Sequence, residues 1–228
     1  MKKTNLFEAK KISVLQFLLT LFFVICLVIS NIISAKQMLL PFGIVMPAAV
    51  IIFPITYILS DVFSEVYGYK WSRLTCYLGF IANLFAVVIF AITIATPAPN
   101  YWANQGAFEV VLGNTPRMLC ASLLGFVVGD FVNDRVFKKL KEKHPHDHEG
   151  FSFRAILSSF CGEMCDSLIF LPIAFLGQMP IETLATMMVC QVLIKTGYEL
   201  IILPITRMVV KSVSKAERIA QETGSESA

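Results

Sequence analysis

"SSFCGEMCDSLIFLPIAFLG", residues 158–177, sets two carboxylates, Glu163 and Asp166, three positions apart in a run that otherwise has the make-up of an apolar helix. What those acids do depends on the solvent around the run, and the composition of the chain decides the solvent. Of 228 residues, 56% are hydrophobic and 15% charged, and Phe occurs 19 times. Soluble domains run near half apolar and a quarter charged. The mean hydropathy of +0.70 points the same way, to a membrane protein. A net charge of +3, with no basic face interleaved with aromatics, argues against a nucleic-acid partner.

A membrane-spanning helix needs about 20 mostly apolar residues. Six stretches meet that test, at about 14–34, 44–64, 73–96, 117–137, 154–176 and 183–210. They predict one all-α membrane domain covering 1–228, a six-helix bundle, with 211–228 as a tail. The opening "MKKTNLFEAKK" resembles the start of a signal peptide, but the apolar run behind it is too long and lacks a small-residue cleavage site. It is expected to stay as the first helix.

Lys and Arg concentrate at the amino terminus, around Lys70 and Arg73, in 135–154 and in the carboxyl tail. The connections "PAPNYWANQGAFEVVLGNTP" and "GQMPIE" have neither, and only Lys36 breaks the pattern. The positive-inside rule then places both termini in the cytoplasm, which implies a multi-pass protein of the plasma membrane.

In this frame Glu163 lies about 15 Å deep, ten residues in at 1.5 Å each. A charge at that depth costs at least roughly 2.5–3.5 kcal/mol. Glu163 and Asp166 share one helix face, Ser159 extends it, and Gly162 beside it would admit a close neighbour. The face is therefore expected to look into the bundle. The sixth span carries Gln191, Lys195 and Glu199 at intervals of four, one polar stripe, with Lys195 near the depth of the acids. The second span carries Tyr57, Asp61 and Glu65 at the same interval. The fourth opens with Arg117 and later holds Asp130, Asn133 and Asp134. The first ends with Asn31, followed by Lys36 and Gln37, and the third offers Asn83.

Plainer readings compete with a ligand site. Glu163, Asp166 and Lys195 would also serve as a static ion-pair lock, since one partner relieves the desolvation of another. Asp61 and Glu65 sit near a span end, where snorkelling or capping suffices. Asn83 suits a helix–helix hydrogen bond better than a ligand contact. His144, His146 and His148 lie in a short charged connection and are not expected to hold a metal. The six cysteines form no CxxC pair and read as small packing residues.

Two function classes remain. One is a transporter or membrane binding protein for a small polar solute, and the other is an intramembrane enzyme. HExxH, GxSxG and the paired aspartates of intramembrane proteases are missing from the sequence, which disfavours the enzyme. A channel fits less well, because acids and bases are mixed where a ring of one sign would be needed.

"FPITYILSDVFSEVYGYKWSR" (53–73) resembles the signature of the queuosine precursor transporter family, also called the vitamin uptake transporter family. "SNIISAKQ" (30–37), "ASLLGFVVGDFVND" (121–134), "SSFCGEMCDSLIFLPIAFLG" (158–177) and "IKTGYELIILPITR" (194–207) support the resemblance across all six spans, in order. It implies a small six-helix bundle in the bacterial inner membrane that imports 7-deazaguanine bases such as preQ0, preQ1 or queuine, precursors of a modified tRNA nucleoside. No cofactor and no metal are expected. Members differ in the precursor they prefer. Nothing in the chain resembles an ATP-binding loop, so the alternative is a substrate-binding membrane subunit that needs an ATPase partner. A homodimer is equally open.

The residue chemistry agrees with that substrate class. A deazaguanine presents a ring N–H beside an exocyclic amine, and one carboxylate accepts both in a bidentate pair. Glu163 or Asp166 is the candidate for that role. Lys195 or a Gln amide would donate to the ring carbonyl, and Tyr57 and Phe170 would stack on the heterocycle. Asn31, Gln37, Asp61, Glu65, Arg117, Gln191 and Glu199 complete the expected lining.

Overall fold

The computed structural model describes residues 12–143 and 151–225. His144, His146 and His148 lie outside the described residues. Seven helices account for nearly all of it: α1 (Val14–Ile33), α2 (Phe53–Val62), α3 (Tyr69–Ala95), α4 (Gln105–Leu112), α5 (Thr115–Lys143), α6 (Phe151–Phe175) and α7 (Ile181–Ser225). Two short strands, β1 (Gln37–Leu39) and β2 (Val45–Pro47), form an antiparallel hairpin between α1 and α2.

Polarity is distributed inside out. Val14, Phe17, Leu18, Leu21, Ile25 and Ile29 of α1 are exposed at helical spacing, while Thr20 and Asn31 are buried. α3 likewise exposes Leu78, Ile81, Phe85 and Ile92 and buries Thr75 and Asn83. Apolar exposure on this scale, with polar groups turned inward, is the surface of a protein solvated by lipid. Five helical segments among the described residues are long and apolar enough to span: Val14–Ile33, Tyr69–Ala95, Gln105–Leu140, Leu157–Phe175 and Ile181–Ile219. The chain is an all-α, multi-pass membrane protein.

The stretch 44–64 is not the single continuous helix expected of it. Its first part is β2 and a 3-10 turn, Ala48–Ile51; α2 follows with ten residues and runs on into a π turn, Phe63–Tyr67. Proline and glycine act together here: Pro41 and Pro47 each remove a helix hydrogen bond within seven residues, and between them Gly43 takes φ +76° at the hairpin tip. Pro54 stands in the first turn of α2, where its missing N–H costs nothing. Backbone groups that leave the helix pair instead across the hairpin, where Met38 faces Met46, as they must in lipid.

Contacts fix the direction of each helix. The Trp71 indole donates to the Thr20 hydroxyl at 3.3 Å, and the Asn31 amide donates to the Asn83 carbonyl at 2.7 Å. α1 and α3 thus run parallel, so the chain returns across the bundle between 34 and 68. α5 runs against α3, with Arg73 on Asp130 at 2.5 Å and the Phe80 and Phe126 rings 5.6 Å apart. α6 runs against α5, and α7 against α6.

α5 and α6 form the most extensive helix pair, along a glycine seam. A Cβ placed on Gly129 would lie 2.8 Å from the Gly162 carbonyl oxygen, and one on Gly162 would lie 2.8 Å from that of Gly129. Small residues let membrane helices approach this closely. The close neighbour expected beside Gly162 is therefore α5.

Two apolar clusters bracket the centre of the bundle. Met46, Met118, Leu171, Phe175, Leu184 and Met187 pack at the hairpin end. Phe23, Leu59 and Phe63 pack toward the opposite end, backed by Leu19, Tyr67 and Trp71.

At that opposite end the start of α1 meets α7. Ser13 caps α1 by accepting the Gln16 N–H at 2.9 Å. Its hydroxyl donates to Glu217 Oε1 on α7, and the Tyr67 hydroxyl donates to the same oxygen at 2.8 Å. Burial, and then the Glu217 carboxylate, hold the Tyr67 hydroxyl above its ordinary pKa, so it remains a donor. Part of the stretch expected to be a tail is thus structural, for α7 runs unbroken to Ser225. Glu217→Ala removes two hydrogen bonds to a carboxylate and is expected to lower stability by about 1.5–3 kcal/mol. Thermal unfolding of the purified variant checks this, and Tyr67→Phe added on top should cost little more.

Candidate functional site

Between the two apolar clusters lies a cavity of about 340 Å³, within the range of small-molecule sites. α1, α2, α3, α5, α6 and α7 all contribute to its wall.

α6 and α7 supply most of its charge. Lys195 Nζ and Asp166 Oδ2 form an ion pair at 2.5 Å, with the Lys195 side chain 9% exposed and the Asp166 side chain 23%. One turn away the Thr196 hydroxyl donates to Glu163 Oε2 at 3.2 Å. One turn the other way the Gln191 amide donates to the Ser167 hydroxyl at 3.5 Å. Asp166 can lie flat against α5 because position 125 is glycine: a Cβ there would sit 2.5 Å from Asp166 Oδ1. Acids dominate the wall, where Asp130, Glu163, Asp166 and Glu199 face a single lysine, Lys195. Such a wall favours a ligand that donates hydrogen bonds.

Eight of the twelve expected residues line the cavity together: Asn31, Tyr57, Glu163, Asp166, Phe170, Gln191, Lys195 and Glu199. The other four stand outside its lining. Gln37 is exposed on β1, paired in register with Pro47. Arg117 donates to the carbonyls of Ile173 and Leu176 at 2.5 and 2.6 Å, satisfying the carboxyl end of α6. Asp61 and Glu65 are exposed. Asn83 makes the expected helix–helix bond, which occupies one of the two amide N–H groups of Asn31.

The failure at Asp61 and Glu65 has a geometric cause. Each step of four advances about 40° around a helix at about 100° per residue. The α7 stripe is centred on Lys195, so Gln191 and Glu199 lie only about 40° to either side. On α2 the cavity face is Thr56, Tyr57 and Ser60. Its centre lies on the far side of Tyr57 from Asp61, and Glu65 is farther round still.

Thr56, Ser60 and Ser122 were missed because single hydroxyls carry no signal in an apolar helix. Phe23, Phe80 and Phe126, also in the wall, were missed because a Phe-rich chain gives no sign of which rings face inward.

The model of a family described as "Putative vitamin uptake transporter" matches residues 47–209. The chain is 27% identical over 178 residues to a protein of Bacillus subtilis (strain 168) named "Probable queuosine precursor transporter". That alignment covers 78% of this chain and 77% of the relative. No solved structure matches. The match takes in α2, α3, α5, α6 and the part of α7 that lines the cavity, and on it the chain belongs to the queuosine precursor transporter family, also called the vitamin uptake transporter family.

Proposed function

We propose that this transporter imports 7-deazaguanine bases, queuosine precursors, across the bacterial inner membrane. The observation that carries the reading is the state of the two acids at the centre of the cavity. Asp166 is engaged by Lys195, whereas Glu163 accepts one hydrogen bond, from Thr196, among those described. Glu163 therefore retains acceptor capacity for a ring N–H and an exocyclic amine together, the bidentate pairing that suits a guanine-like edge. Tyr57 and Phe170 offer rings in the same wall. A buried site built to satisfy such donors discriminates strongly against analogues that lack them.

In this reading the chain is one membrane domain that crosses six times, the second pass being the hairpin and α2. Both termini face the cytoplasm. The Ser13–Glu217 bond supports a common face for the two ends, and the Lys and Arg distribution supports which face it is.

The test is uptake of labelled 7-deazaguanine bases by cells that can neither make nor import them, with this chain expressed alone. Accumulation above the vector control is expected. Binding by the purified protein without uptake would instead indicate a subunit that needs an energising partner. Absence of both would overturn the proposal.

A further inference from the structure

Gln191 is fully buried at 0% exposure. Its Nε2 donates to the hydroxyl of Ser167, itself 1% exposed. That bond fixes which end of the amide is used within the protein. The remaining oxygen, Oε1, has no hydrogen-bond partner among the described residues. Buried acceptors are ordinarily satisfied, and leaving one unmade is costly. A second orphan, Thr75 Oγ1, lies outside the cavity wall, whereas Gln191 is in it.

We infer that Gln191 Oε1 accepts an N–H from the ligand, at the opposite edge of the ligand from the one that Glu163 reads. The inference rests on the proposed function and assigns the second recognition point of the same cavity. Ser167, which orients Gln191, is four residues along α6 from Glu163, about 6 Å at 1.5 Å per residue. The Asp166–Lys195 pair lies between the two levels. For a 7-deazaguanine held by Glu163 at its N1–H and amine, the donor on the far edge is the N–H at position 9 of the five-membered ring. The free base carries that hydrogen, while a nucleoside or a 9-alkyl derivative has lost it. Gln191 thus selects the free base over its 9-substituted forms.

The sequence placed Gln191 on the polar stripe but allowed its amide to act as a donor to a ligand carbonyl. Ser167 takes one of its two N–H groups, and the atom left without any partner is the oxygen, which gives the residue an acceptor role.

The test is calorimetric titration of the purified full-length protein with 7-deazaguanine and with its 9-methyl analogue. It is run on the wild type and on Gln191→Met and Gln191→Leu, which remove the acceptor and keep the bulk. The wild type should prefer the base by about ten- to a hundredfold, the range of one buried hydrogen bond to a neutral group or more. Both variants should lose that factor for the base and bind the two compounds alike. Their thermal unfolding without ligand should stay near that of the wild type, because removal of an unsatisfied buried acceptor offsets the lost bond to Ser167. An unchanged preference in the variants overturns the assignment while leaving the proposed function standing. So does a drop in unfolding temperature with base affinity untouched. Failure of the wild type to bind either compound overturns the functional reading, and the assignment with it.

Discussion

Glu163→Gln should weaken binding of a 7-deazaguanine by about 1.5–3 kcal/mol, the scale of a hydrogen bond to a charged group. That is about ten- to more than a hundredfold in affinity. The amide keeps one acceptor oxygen and sets a donor where the ligand's own donors should lie. Stability should change little, since Thr196 still finds an oxygen. Asp166→Asn behaves differently, because Asp166 is held by Lys195 at 2.5 Å with the lysine almost wholly buried. Removing one partner of a buried pair strands the other and costs about 3–5 kcal/mol. Lys195→Met should be as damaging, and Asp166→Leu with Lys195→Met should recover much of the loss in stability without restoring binding. Thermal unfolding and ligand titration on the same purified proteins separate the two acids. Reduced stability with unchanged affinity at both positions would reduce Glu163 and Asp166 to a structural lock.

The glycine seam should be less forgiving than either acid. Gly129→Leu or Gly162→Leu would drive a branched side chain into the backbone of the facing helix, and neither variant should yield a monodisperse protein from detergent. Alanine is the graded probe. At either position its Cβ would sit 2.8 Å from a carbonyl oxygen, so α5 and α6 must part slightly, at about 1–3 kcal/mol. Because Asp166 lies on this seam, the alanine variants should also bind ligand more weakly. Size-exclusion profiles and thermal unfolding check the prediction, and a Gly129→Leu protein that unfolds at the wild-type temperature would contradict it.

What the sequence made legible follows from what lipid penalises. Lys195, Glu163 and Asp166 were visible because a charge in mid-membrane demands an explanation, and the structure joins them in one cavity. Tyr57, Gln191 and Glu199 followed from helical spacing, and Asn31 from its place as a polar residue at the end of an apolar span. Arg117 misled because a guanidinium near a helix start looks the same whether it faces a ligand or caps a neighbouring helix; only tertiary contact with Ile173 and Leu176 distinguishes them. The hairpin escaped because "FGIVMPAAVIIFP" is as apolar as any spanning helix, and hydropathy is blind to Pro47 and Gly43. The glycine seam was half visible: Gly162 announced a close approach, but nothing in the sequence named Gly129 as its partner.

The clasp of Ser13, Tyr67 and Glu217 bears on the order of assembly. Its partners Ser13 and Glu217 are 204 residues apart in the chain. A ribosome makes α1 well before Glu217, so α1 must wait in the bilayer with one side of its cap unfilled until α7 has been made. Contacts of such long sequence separation form late, since the loop between them must close first. Ser13 and Glu217 therefore meet only after the intervening helices have left the insertion machinery. Chains cut short before Glu217 would carry every cavity residue and still lack the contact that closes the circle.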